Sequence, residues 1–238
     1  MKSPSRRNLL KAVALTPAVA VIPLEVVRGT REAHAAAPAY TQPPEAYLTA
    51  AELGFVEAAV ARIIPNDDLG PGAKEAGVAT FIDHQLAGPY GRAERWYMQG
   101  PWKQGEDEQG YQLRLTPAEL YRTAIADIEQ HVRGTHANKV FAELDANAQD
   151  DVLRGLEKGT LKLEHAPADT FFKMLVENTV EGFLADPLYG GNRDFIGWKL
   201  IGFPGPRYNY VAEIDQYGKR YDMPFVSIGG RDLGVRKG

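Results

Sequence analysis

Apolar positions recur with a helical period along most of this chain. Leu53, Val56, Val60, Ile63 and Ile64 share one helical face. They follow Thr49-Ala50-Ala51-Glu52, a capping box, and stop at Pro65, so a core helix is predicted between Thr49 and Pro65. Residues 78–87, VATFIDHQLA, predict a short helix. Thr116-Pro117-Ala118-Glu119 is a second capping box with proline at the first helical position. Leu120, Tyr121, Ala124, Ile125, Ile128 and Val132 continue it, and Gly134 is expected to end it. Val140, Phe141 and Leu144 predict one short helix. Asp145 caps another, with Val152, Leu153 and Leu156 inward and Gly159 at its end. The strongest pattern follows Pro167: Phe171, Phe172, Leu175, Val176, Thr179, Val180, Phe183 and Leu184 form a broad apolar stripe. This helix is predicted to centre the core, each fully buried large side chain contributing about 1.5–3 kcal/mol. The predicted fold is mainly α: one compact helical domain over residues 48–228, with long ordered aromatic-rich loops and an extended C-terminal tail.

The periodicity fails most sharply over residues 185–206, ADPLYGGNRDFIGWKLIGFPGP. Asp186-Pro187 stops the preceding helix. Gly190 and Gly191 permit positive φ or close backbone approach, and Asn192 is positioned to cap a short helix over residues 193–200. Gly202, Pro204, Gly205 and Pro206 break the chain again. Leu188, Tyr189, Phe195, Trp198, Ile201 and Phe203 lie between the breakers, so the segment either plugs its own domain or presses on another protein. Residues 89–110 hold Trp96, Tyr97, Met98 and Trp102 and predict an ordered wrap over another surface. Beyond residue 206 the chain reads as extended; Val226-Ser227-Ile228 could form a strand, but no second strand pattern pairs with it. Tyr221, Met223, Pro224 and Phe225 suit docking along a partner.

The N-terminus changes the picture. Ser5-Arg6-Arg7-Asn8-Leu9-Leu10-Lys11 is a twin-arginine export motif, followed by an apolar run, AVALTPAVAVIPL, too short for a membrane span and broken by Pro17 and Pro23. Ala33-His34-Ala35 suits a signal peptidase, so residues 1–35 are predicted to be a removable twin-arginine signal peptide, 36–47 a mobile lead-in and 229–238 a tail. The leader holds six of the 27 basic residues and two of the 31 acidic ones; the remainder carries 21 against 29, a net charge of −8. That balance argues against nucleic acid and against an electrostatic hold on anionic lipid.

Candidate chemistry is sparse. The chain has no cysteine, which excludes disulfides, thiolate zinc, ordinary iron–sulfur ligation and c-type haem attachment. Asp67 and Asp68 lack the oxygen spacing of a calcium loop. His131, His136 and His165 lack a metal-binding spacing, and no histidine is expected to bind metal. Asp83 and His84 are sequence neighbours and point apart on a helix. An ion pair of Arg193 with an aspartate is expected to hold the 185–206 loop. No nucleophile elbow, dinucleotide fingerprint or metal motif occurs, so catalytic, cofactor-binding and metal residues are all expected to be none.

DPLYGGNRDFIGWKLIGFPG at residues 186–205 closely resembles the hallmark segment of the gluconate 2-dehydrogenase subunit 3 family. IIPNDDLGPGAKEAGVATFIDHQLAGPYG at 63–91 and RWYMQGPW at 95–102 are also similar, and the resemblance spans about residues 48–228. It implies the small subunit of a membrane-bound FAD-dependent flavoprotein–cytochrome c dehydrogenase. The implied partners are a large FAD-containing subunit and a multihaem cytochrome c, which carry the FAD and haem; this chain carries no cofactor. The complex would oxidise a sugar, polyol or sugar acid such as gluconate. The small subunit would be periplasmic, exported through Arg6 and Arg7, held to the inner membrane through a partner, and would assist maturation of the flavoprotein. The expected partner-facing residues are Trp96, Trp102, Tyr189, Gly190, Gly191, Asn192, Arg193, Trp198 and Phe203. Two other readings stand beside it: a stand-alone periplasmic enzyme using Asp83, His84, Asp186, Asn192 and Arg193, and a periplasmic sugar-binding protein.

Overall fold

A computed structural model describes residues 46–229 except 104, 107, 108, 208, 220 and 222. The leader with Arg6 and Arg7, residues 36–45 of the lead-in, and the tail from residue 230 lie outside the described residues. All described residues belong to one structural unit. Its helices are α1 (Ala50–Ile63), α2 (Val78–Ala87), α3 (Pro117–Thr135), α4 (Ala146–Glu157), α5 (Ala168–Leu184) and α6 (Ile196–Ile201). Short 3₁₀ turns occur at Phe141–Glu143, Pro187–Tyr189, Arg193–Phe195 and Val211–Glu213. Among the described residues there is no strand, and no helix is long and apolar enough to cross a membrane.

Both capping boxes form. Glu52 N donates to Thr49 Oγ1 at 3.3 Å while Thr49 N donates to Glu52 Oε2 at 2.8 Å, and Thr116 and Glu119 repeat the exchange at the same distances. Asp145 Oδ1 accepts from Ala148 N at 3.0 Å and opens α4. Helix α5 packs against all five other helices, as its apolar pattern predicts. Phe171 on α5 meets Tyr121 of α3 edge-on at 5.3 Å and Phe55 of α1 at 6.4 Å, while Phe55 rests on Phe141 at 4.8 Å. Outside this core, Arg62 makes a bidentate pair with Asp150 at 2.7 and 3.1 Å, tying the end of α1 to α4.

Four expectations change. The buried face of α5 is Phe171, Met174, Leu175, Asn178, Thr179, Gly182 and Phe183; Val180 and Leu184 are exposed. The stripe is rotated because Asn178 turns inward to bond Tyr90 and Tyr121, and Gly182 turns inward to admit the Phe81 ring from α2. Gly134 does not end α3. The helix runs to Thr135, and the reversal falls on Ala137 and Asn138, at φ 51° and 61°. Residues 140–144 make a 3₁₀ turn rather than an α-helix. The predicted helix over 193–200 starts at Ile196, because Asp194 and Phe195 sit at φ 54° and 58°.

Candidate functional site

The segment after α5 is a cap on the end of that helix. The last carbonyls of a helix have no partner within it. Here Trp198 Nε1 donates to Leu184 O and Asn192 Nδ2 donates to Ala185 O, both at 2.8 Å. Asn192 Oδ1 in turn accepts from Gly197 N at 2.8 Å, so one buried amide closes α5 and opens α6. Two glycines allow the close approach. A Cβ on Gly191 would lie 2.2 Å from Gly182 O, and one on Gly197 would lie 2.0 Å from Phe183 O. The Arg193 N–H donates to Ala76 O at 2.9 Å, fastening the segment to the loop before α2.

Aromatic packing completes the plug. Phe195 stacks on Trp198 at 5.5 Å, Phe203 meets Trp198 edge-on at 5.0 Å, and Phe225 from the C-terminal segment stacks on Phe195 at 5.7 Å. Gly191, Asn192 and Trp198 are therefore buried inside this chain and cannot offer side-chain contact to a second protein. They can only set the shape of a surface above them. Tyr189 and Gly190 are half-buried, while Arg193 and Phe203 are exposed.

The two predicted aspartates serve the backbone. Asp186 is buried; Oδ1 accepts from Leu188 N at 2.9 Å and Ser227 Oγ at 2.7 Å, and Oδ2 accepts from Ile228 N at 2.7 Å. Asp83 Oδ1 accepts from Tyr47 N and Leu48 N, both at 2.8 Å. Among the described residues no Arg193–aspartate ion pair occurs; the segment is held instead by Asn192 and by the Asp186 bonds to Ser227 and Ile228. His84 lies instead beside Gly190, where a Cβ would come within 2.9 Å of its Nδ1. Asp83, Asp186 and Asn192 are thus each engaged by other groups of this chain, while the Arg193 guanidinium and Gly190 O both lie against Gly77.

Residues 226–228, read as a possible strand, form none and rest against this chain. Val226 N donates to Pro204 O at 3.1 Å, Ser227 is buried, and a Cβ on Gly205 would lie 2.0 Å from Val226 O. In the 89–110 segment, Trp96 packs on its own chain between Tyr90 at 5.7 Å and Tyr111 at 4.9 Å. Tyr90 donates to Asn178 Oδ1 at 3.1 Å, and burial pushes its phenol up to about 12. Trp102 is half-buried and Tyr97 is exposed.

Two features remain open on the surface. A cleft of about 420 Å³ is lined by Ile63, Ile64, Leu69, Phe183, Ile196 and Leu200. Exposed Leu69, Leu200 and Ile201 make this end of the molecule apolar. The second feature is the excursion between Pro206 and Pro224, with Val211, Ile214, Tyr217 and Met223 exposed. Asp67 Oδ1 accepts from Leu69 N at 2.9 Å within a tight turn. Among the described residues no group of three or more His, Asp or Glu side chains gathers as a metal site.

No match was found among curated protein sequences or among solved structures. The family model described as gluconate 2-dehydrogenase subunit 3 matches residues 50–205, from the first residue of α1 to the glycine that lies against Val226 O. The chain belongs to the gluconate 2-dehydrogenase subunit 3 family.

Proposed function

We propose that this chain is the non-catalytic small subunit of a periplasmic FAD-dependent dehydrogenase complex of the gluconate type. It carries the export signal of the complex and assists maturation and co-export of the flavoprotein subunit. The family match carries this reading, since a subunit 3 implies companion subunits. The geometry supports it from the other side. Asp83, Asp186 and Asn192, which a stand-alone enzyme would need, are bound to backbone groups, whereas large apolar side chains stay exposed around the cleft and the C-terminal excursion. The FAD belongs to the large subunit and the haem to a multihaem cytochrome c, and electrons pass between those two. The substrate class is a sugar, polyol or sugar acid.

Ser5-Arg6-Arg7 supplies the route. Twin-arginine passengers cross the membrane folded, so a flavoprotein can load FAD in the cytoplasm, bind this subunit and travel with it. The test is cell fractionation with a tagged large subunit that has no leader of its own. In the Arg6→Lys/Arg7→Lys variant, both proteins and the dehydrogenase activity are expected to stay in the cytoplasm. A large subunit that still reaches the periplasm beside this variant would overturn co-export. The wild-type chain, pulled from the periplasm, is expected to bring flavin and haem absorbance bands with it.

A further inference from the structure

The turn between α1 and α2 holds one leucine out in water. Asp67 N donates to Gly70 O at 3.2 Å, Gly70 N returns to Asp67 O at 3.0 Å, and Asp67 Oδ1 accepts from Leu69 N at 2.9 Å. Behind the turn, Ala73 N donates to Ile64 O at 2.9 Å and Gly72 N donates to Glu75 Oε2 at 3.0 Å. A Cβ on Gly72 would lie 2.4 Å from Ile64 O, so the two arms of the loop run in close contact. The turn is thus tied by its own bonds, yet Leu69 at its tip is 77% exposed. Contact with another surface would recover the hydrophobic free energy that this exposure forgoes.

The cleft of about 420 Å³ opens beside that leucine. Helix α1 gives it Ile63, α5 gives Phe183, and α6 gives Ile196 and Leu200. Leu200 and Ile201 on α6 are 49% and 59% exposed. An apolar projection and an apolar hollow therefore share one end of the molecule. Charge is arranged in the same way. Asp67 of the turn and Lys199 of α6 both line the cleft, and Asp68 stands exposed next to Leu69. Among the described residues, neither Lys199 nor Asp68 makes an ion pair. A surface built for a different protein needs only one half of each contact, because the partner brings the other half. This end carries both halves: a leucine and a hollow to receive one, an unpaired lysine and an unpaired carboxylate. An isologous contact requires that, since residue i meets j and j meets i about a two-fold axis.

We infer that this end of the molecule pairs with a second copy of the chain about a two-fold axis. Leu69 of each copy enters the cleft of the other, Leu200 and Ile201 pack across the axis, and Lys199 of each copy faces Asp68 of the other. Apolar burial supplies the affinity, and the two charge pairs fix the register. The inference concerns how many copies of this chain assemble and does not depend on the subunit reading above. The test is sedimentation velocity of the full-length chain over a range of concentrations. Wild type is expected to show a monomer–dimer equilibrium. Leu69→Asp is expected to weaken it by about tenfold or more at an unchanged thermal midpoint, since the side chain is exposed. Lys199→Asp and Asp68→Lys should each weaken self-association. An equimolar mixture of those two variants should form a mixed dimer, because both charge pairs are then restored. A wild-type chain that stays monomeric, a dimer that Leu69→Asp leaves intact, or a mixture that associates no better than its parts overturns the inference. If wild type is a monomer and Leu69→Asp loses a co-purifying protein, this end docks a different partner and self-pairing is wrong.

Discussion

Asn192 joins two helices with one side chain. Its amide closes α5 through Ala185 O and opens α6 through Gly197 N, and it is fully buried. Removing it leaves buried backbone groups without partners, at about 1–3 kcal/mol each. Asn192→Ala is therefore expected to lower stability by at least about 2 kcal/mol in denaturant titration. Gly197→Ala is expected to be equally damaging, since the added methyl would meet Phe183 O at 2.0 Å. His165 gives a pH-dependent counterpart. Its Nδ1 lies 2.9 Å from Asp127 Oδ1, and this hydrogen bond raises its pKa above the ordinary 6.5. Folding then favours the protonated imidazole. The contribution is complete below pH 6.5 and is lost as pH rises through the raised folded value. Thermal midpoints measured across about pH 5–8 should show this decline in wild type and a flatter profile in His165→Ala.

Helix α5 separates what pattern can and cannot read. The period predicted the helix, its start after Pro167 and its central place. It did not fix the rotation, because apolar residues occupy too wide an arc and because Asn178 and Gly182 are read by type as outward or neutral. Their inward placement depends on Tyr90, Tyr121 and Phe81, which come from distant parts of the chain. Paired substitutions test the observed rotation. Val180→Lys should change stability by no more than about 0.5 kcal/mol, whereas Met174→Lys should cost more than about 2 kcal/mol in the same titration. Helix starts were legible wherever a capping side chain bonds a residue close by, as at Thr49, Thr116 and Asp145. The hallmark cap was legible only as breakers and aromatics. Its bonds join Trp198 to Leu184 and Asn192 to Ala185, and no local rule specifies them.

Across the molecule, buried carboxylates hold both margins of the described chain. Asp83 receives the backbone N–H groups of Tyr47 and Leu48, and Asp186 receives the Ser227 hydroxyl and the Ile228 N–H. Ser227→Ala removes one of the bonds at the C-terminal margin and should loosen the loop before it loosens the core. The expected result is faster proteolysis and faster amide exchange within residues 206–229, with protection in α5 unchanged. Equal protection of the loop in both proteins would mean that Phe225 and Val226 suffice to hold it.

Tyr47 bears on how the body would take up a pull from its N-terminal side. Its N–H is held by Asp83, its carbonyl by Arg122 at 2.8 Å, and its hydroxyl by Ala118 O at 2.9 Å, while the Arg122 guanidinium lies 4.1 Å over its ring. A pull ahead of residue 46 would therefore enter the body at Tyr47 and pass to α2 through Asp83, to α3 through Ala118 and Arg122, and from Arg122 to Glu52 of α1. Peeling α1 from this end would first have to part the bonds at Tyr47.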